Sequence, residues 1–253
     1  MREAEHSVDD ARVTEHAISF SYALHRAACP VALWNGDPAA AGHYADVLLD
    51  HAKRHALVHW QLYGWGYQGA VAIRRGDVAT GLRLLRSCFE ELGETGITAP
   101  RFMRFAAVDM AEGLGKAGQI GDGLSVIEDA IARAERTEEL WQFPELLRAK
   151  GELLLLPAPF RDAAAAGDCF RRALDCAREQ GALSWELRAA TSLAKLMRHQ
   201  GRSAEALGLL QPVYDRFTEG FETADLKAAK DLLVALQKLG VRASTVPESN
   251  GNG

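Results

Sequence analysis

The sequence predicts an all-α chain: a right-handed α-solenoid of about five helical hairpins, closed by a C-terminal capping helix. Three observations predict it. Apolar residues recur at helical spacing almost throughout, Ala and Leu dominate over Val and Ile, and no segment alternates convincingly with period two. Breaks at Gly36-Asp37, Gly76-Asp77, Gly118-Gln119 and Gly201-Arg202 are 40, 42 and 83 residues apart, and Pro157 and Pro159 break the chain midway through the long interval. A period of that size is the mark of a stacked helical array. Small residues also stand at matching offsets around each break. Cys29, Gly69, Ala111, Gly151 and Ala194 precede the breaks, and Ala41, Gly81, Gly123, Ala166 and Ala206 follow them. Two helices in a tight hairpin need small residues where their backbones meet.

Residues 1–14 form a charged lead-in, and MREAEHSVDDARVTEH has no apolar stretch that could serve as a secretory signal. The repeats run over about 15–56, 57–97, 98–137, 138–181 and 182–220. Repeat one carries Pro30 inside its first helix. Repeat two opens with LVHWQLYGWGYQGAVAI at 57–73, the most apolar window. It contains His59, Gln61, Gln68 and three glycines, which argues against a membrane span. In each turn the glycine adopts positive φ and ends a helix, and Asp37 and Asp77 cap the next one.

Repeat three contains EGLGKAGQIGDG, with Gly113, Gly115 and Gly118 spaced as in a phosphate-binding loop. No strand precedes it, and Lys116 is followed by Ala117 where a phosphate loop needs Ser or Thr. It is therefore read as a turn. In repeat five Ala206, Leu210, Val213 and Phe217 form one stripe. In the capping helix, 222–240, Leu226, Ala229, Leu233, Leu236 and Leu239 form another, with Lys227, Lys230 and Asp231 on its polar side. The tail 241–253 is polar and glycine-containing, as disordered segments are.

Composition excludes several functions. A net charge of −5 gives no basic field for nucleic acid. The four cysteines form no Cys-x-x-Cys, which fits a reducing, cytoplasmic setting; Cys169 and Cys176 share a helix face as small apolar groups. His51, His55 and His59 have the spacing of a metal site, but His51 and His55 read as exposed side chains on a solvated face. Glu90-Glu91 and Glu138-Glu139 read as solvated charges, and no nucleophile elbow is present. Neither catalysis nor a cofactor is expected. Trp65 and Trp185 read as packing anchors, while Trp34, Trp60 and Trp141 either pack or line a groove.

The periodic pattern resembles the tetratricopeptide repeat. Trp65 and Gly69, Met110, Ala111 and Leu114, and Leu193, Ala194 and Met197 match its first-helix positions, and Phe170, Ala173, Ala206 and Leu210 its second-helix positions. A closer resemblance spans roughly residues 15–240. Ser184-Trp185-Glu186-Leu187-Arg188, Gln200-Gly201-Arg202, Tyr214 to Leu226, WQFPELLRAKGELLLL at 141–156 and CPVALWNGD at 29–37 carry it. They are similar to the C-terminal helical region of bacterial multidomain regulators. Those proteins join a nucleotide cyclase or winged-helix domain to an AAA/STAND-type ATPase. This chain has no phosphate loop, no cyclase aspartate pair and no basic recognition helix, so those activities are not carried over.

The resemblance implies a bacterial signalling or transcriptional-regulator repeat domain that binds a peptide or helix in a concave groove. Transferring the repeat's groove positions gives Arg26, Trp34, Tyr63, Arg74, Phe105, Glu112, Lys116, Glu145, Arg148, Glu152, Arg188, Lys195, Arg198 and His199. The basic C-terminal stretch of that set implies a partner with an acidic portion. A homodimer is expected to cover a first repeat that lacks a cap, unless preceding chain once covered it. The other readings are a small-molecule sensor and a stand-alone remnant of a larger regulator.

Overall fold

The computed structural model describes residues 1–94, 100–157 and 161–244, with side chains described over 1–92, 106–157 and 161–239. Among the described residues every regular element is helical. The chain divides into two compact units, one formed by Met1–Gln142 with Leu156–Phe160, the other by Phe143–Leu155 with Arg161–Gly253.

In the first unit, α1 (Arg2–Val13), α2 (Ala17–Ala23), a π-helical turn (Leu24–Ala28) and α3 (Cys29–Trp34) precede α4 (Pro38–Arg54), α5 (Val58–Arg75), α6 (Val78–Glu94), α7 (Pro100–Lys116) and α8 (Ile120–Thr137). Neighbours in sequence are neighbours in space: α4 packs on α5, α5 on α6, and α7 on α8. The second unit contains α9 (Phe143–Leu154), α10 (Ala163–Glu179), α11 (Leu183–His199), α12 (Ser203–Tyr214) and α13 (Ala224–Ser244), again packed in sequence.

The hairpin turns share one geometry. Gly36, Gly76, Gly118 and Gly201 have φ of 71°, 94°, 78° and 77°. The amide after each glycine donates back five residues: Asp37 to Ala32, Asp77 to Ala72, Gln119 to Leu114, Arg202 to Met197. This 6→1 bond absorbs carbonyls that a helix end leaves unpaired. Asp37 Oδ1 then accepts from the amides of Ala39 and Ala40, and Asp77 Oδ1 from that of Thr80. Asp162 caps α10 the same way through the amide of Ala165. Gly118 is thus a helix terminator, as its sequence context predicts.

All ten small residues flanking the breaks are buried. The closest approach is in the α5–α6 hairpin. A Cβ on Gly81 would lie 2.7 Å from the Gly69 carbonyl oxygen and 2.4 Å from Ile73. Only glycine permits this backbone contact, which offsets the ~1 kcal/mol that a mid-helix glycine costs.

Three expectations are corrected. Residues 1–14 are not a bare lead-in. They contain α1, which lays Val8 into the core and packs Met1 and Ala11 against it. The first repeat is therefore covered by a helix with a charged outer side, which removes the reason given for a homodimer. The last helix extends to Ser244, beyond residue 240; the rest of the tail lies outside the described residues. His51 is buried rather than exposed, and its Nε2 donates to the Ala17 carbonyl at 3.0 Å.

Proline explains the π-helical turn. The Cys29 amide bonds to the Leu24 carbonyl, five residues back. Pro30 has no N–H, so the His25 carbonyl loses both its usual helical donors. Tyr67 of α5 fills the gap: its hydroxyl donates to that carbonyl at 2.7 Å. The same hydroxyl lies 3.2 Å from His25 Nδ1. Its one proton is committed to the carbonyl, so the imidazole carries its proton on Nδ1 and donates to the Tyr67 oxygen. Burial, with the neighbouring Arg26 charge, pushes the His25 pKa down to about 3, which keeps the ring neutral.

Candidate functional site

The predicted groove residues lie on the first helices of the hairpins. The two units use these positions differently.

In the second unit the face on α9, α11 and α13 is a closed ionic network. Glu145 of α9 is only 4% exposed. Its two oxygens accept from Arg148 at 2.8 and 2.9 Å, and one also accepts from Arg188 of α11 at 3.1 Å. Arg188 reaches on to Asp225 of α13 at 2.6 Å and lies over the Trp185 ring, 5.1 Å from its centre. Glu152 accepts from Ser192 Oγ at 2.6 Å and sits 3.6 Å from Arg148. Arg148 pairs within α9, and Arg188 carries the pairing across to α9 and α13, so the buried carboxylate is matched as burial requires. A second buried carboxylate, Glu186, is held by Arg178 at 3.0 Å and by Arg216.

Of the basic stretch predicted for partner binding, Arg188 is thus engaged internally. Lys195 and His199 are exposed and Arg198 is half-buried. The sequence missed Asp225, which pairs Arg188, and Ser192, which donates to Glu152. For Asp225 the signal was a basic residue with an acidic one about one repeat away.

In the first unit the corresponding face is aromatic. His25 stacks on Tyr63, with ring centres 4.3 Å apart and 12° between planes. Trp60 meets His25, Tyr63 and Tyr22 edge-on at 5.7, 5.7 and 4.9 Å. Edge-to-face contacts at these distances fix ring orientation and add to area burial. Burial, with the nearby Tyr22, pushes the Tyr63 pKa up; the Arg26 charge opposes it. Arg26 is exposed and lies over the Tyr22 ring at 5.9 Å. Tyr22 and Trp60 were not among the predicted groove residues. A Tyr-x-x-x-Arg spacing on one helix face was the available signal.

The remaining predicted residues divide. Arg74 donates to both oxygens of Asp109, which is 1% exposed, at 2.7 and 3.4 Å, and to the Leu33 carbonyl at 2.6 Å. It ties three helices together. Lys116 donates to the Ile73 carbonyl at 3.4 Å, and Glu112 is half-buried beside it on α7. Trp34 meets Trp141 edge-on at 5.8 Å. Phe105 lies outside the residues whose side chains are described. Among the described residues no group of three or more His, Cys, Asp or Glu side chains is placed to hold a metal ion. No described helix is long and apolar enough to cross a membrane.

No family model matches the chain. The uncharacterized protein R02095 of Rhizobium meliloti (strain 1021) is 29% identical over 151 residues, which is 59% of this chain and 14% of that much longer protein. Among solved structures, the crystal structure of BtubC (BKLC) from P. vanneervenii superposes with a TM-score of 0.53 at 12% identity, covering 84% of this chain and 94% of that one. At that identity the likeness is one of fold alone.

Proposed function

We propose that this chain is a non-catalytic, tetratricopeptide-like interaction module, a right-handed helical solenoid that takes a peptide or helix of a partner protein along its first-helix face. The observation that carries the reading is the contrast between the two faces. Glu145, Arg148, Arg188 and Asp225 of the second unit are spent on each other, whereas the first unit leaves Tyr22 half-exposed beside Trp60, Tyr63 and an exposed arginine. Aromatic and arginine side chains are the residue types that dominate protein interfaces. Stacked helical hairpins present such residues on a continuous surface. The match to a short part of a long bacterial protein is in keeping with a place within, or descent from, a larger chain.

The test is selection of random dodecapeptides against the whole chain. Enrichment of a convergent motif whose synthetic peptide binds in solution supports the module. A library that yields no binder contradicts it.

One observation favours a second reading, a small-molecule sensor. The indole nitrogen of Trp141 and Oε1 of Gln142 are buried with no hydrogen-bond partner among the described residues. A ligand that binds only the folded state would raise the melting temperature. A metabolite screen that raises it in the wild type, and not in Trp141→Phe, would favour the sensor.

A further inference from the structure

We propose that the Tyr22, Trp60 and Tyr63 face of the first unit, edged by Arg26, docks a partner peptide that places a carboxylate beside an aliphatic or proline side chain. The inference rests on the module reading and gives it a location and a chemistry.

Three features point to such an occupant. The first is exposed apolar area: Ile18 and Tyr22 are 45% and 50% exposed. Ile18 and Tyr22 are four residues apart, so they share one side of their helix. Grouped exposed side chains of this size mark interaction surfaces.

The second is rigidity. Trp60 and Tyr63 are fixed by edge-on and stacked contacts to His25, and His25 is anchored through Tyr67 at the π-helical turn. π-Turns recur at functional positions because they re-aim side chains. Rings held in place lose little entropy when a peptide packs on them, so an aliphatic or proline side chain finds a preformed platform.

The third is charge. No carboxylate among the described residues lies within ion-pair distance of Arg26, and its guanidinium is parked over the Tyr22 ring. The chain as a whole carries −5, so this is a cation left uncompensated in an acidic molecule. A planar guanidinium stacked on a ring keeps its N–H edge available for a carboxylate.

The experiment uses peptides selected on the whole chain. The motif expected is Asp or Glu next to Leu, Ile, Val or Pro. Arg26→Glu, at an exposed position, is expected to weaken the best synthetic peptide at least tenfold with unchanged thermal unfolding, and Tyr22→Ala to weaken it as much while the chain stays folded by circular dichroism. Replacing the peptide acid by Lys should restore binding to Arg26→Glu while abolishing it for the wild type. Lys195→Glu with Arg198→Glu should leave the affinity unchanged. Selected peptides that bind both first-unit variants with wild-type affinity would sink this site and leave the module reading standing. Selection that yields no peptide would sink both. If Arg26→Glu instead shifts only the oligomeric state in light scattering, the face contacts a second copy and the peptide proposal falls.

Discussion

One first-helix position serves opposite ends in the two units. At the position of Glu145 and Arg188 in the second unit, the first unit has Tyr63 and Ala23. Glu145 and Arg188 need each other because both are nearly excluded from water. Tyr63 needs no counter-charge and stacks on His25 instead. A charged residue at such a position is therefore weak evidence for a binding site until its neighbours one repeat away are known. The difference teaches that charge on such a face can be internal scaffolding, and it is why the proposal places recognition on the aromatic cluster instead.

The contrast can be broken first at its ionic end. Glu145→Ala takes from the largely buried Arg148 and Arg188 the carboxylate that they share. A loss of ~3 kcal/mol is expected, the lower end for breaking a buried pair, read from urea unfolding. Arg26→Glu should change stability by less than ~0.5 kcal/mol, as exposed substitutions do. Equal effects would erase the distinction between scaffold and surface.

The aromatic end has a pH signature. The folded chain holds His25 at a pKa of about 3, whereas the unfolded chain protonates it near 6.5. Its contribution is complete above pH 6.5 and is lost as pH falls, because the unfolded state then binds the proton and the folded state does not. By pH 4.5 this amounts to roughly 2–3 kcal/mol. Burial lowers the His51 pKa too, with the same sign. Denaturation midpoints measured from pH 7.5 to 4.5 should fall less steeply for His25→Gln than for the wild type.

A smaller effect tests the π-turn. Tyr67→Phe should cost ~1–2 kcal/mol by stranding the His25 carbonyl. The cost should shrink in a Pro30→Ala background, where residue 30 regains a donor. An unchanged cost would mean that Pro30 does not create the need for Tyr67.

The smallest effect lies between hairpins. Ala56 turns the chain with φ of 53°. Ala56→Gly should stabilise by up to ~1 kcal/mol, measured as a rise in melting temperature.

These elements show which parts were legible. The Gly76 and Gly118 turns, the Asp37 and Asp77 caps and the buried small residues were readable because each follows from local chemistry: positive φ, an unpaired amide, or a backbone contact. The Ala56 and Glu138 turns carry no such signal, since alanine and glutamate merely tolerate the conformation. The role of α1 was hidden because only Ala4 and Val8 of that helix are buried. His51 read as exposed because the carbonyl that receives its proton lies thirty-four residues away. The candidate site was least legible of all. Arg26 and Tyr63 were reached by repeat register, but whether an arginine is spare or spoken for depends on partners such as Asp225, which no local pattern reveals.

The central claim is that recognition belongs to the aromatic face of the first unit and not to the charged face of the second. The five tryptophans give a direct reading, because Trp60 sits in the aromatic cluster and Trp185 lies under Arg188. The measurement is indole 15N–1H NMR of the whole chain, titrated with a selected peptide and assigned by Trp→Phe variants. The account predicts that the Trp60 resonance shifts in proportion to occupancy while that of Trp185 stays in place. Movement of Trp185 with Trp60 unchanged would contradict it.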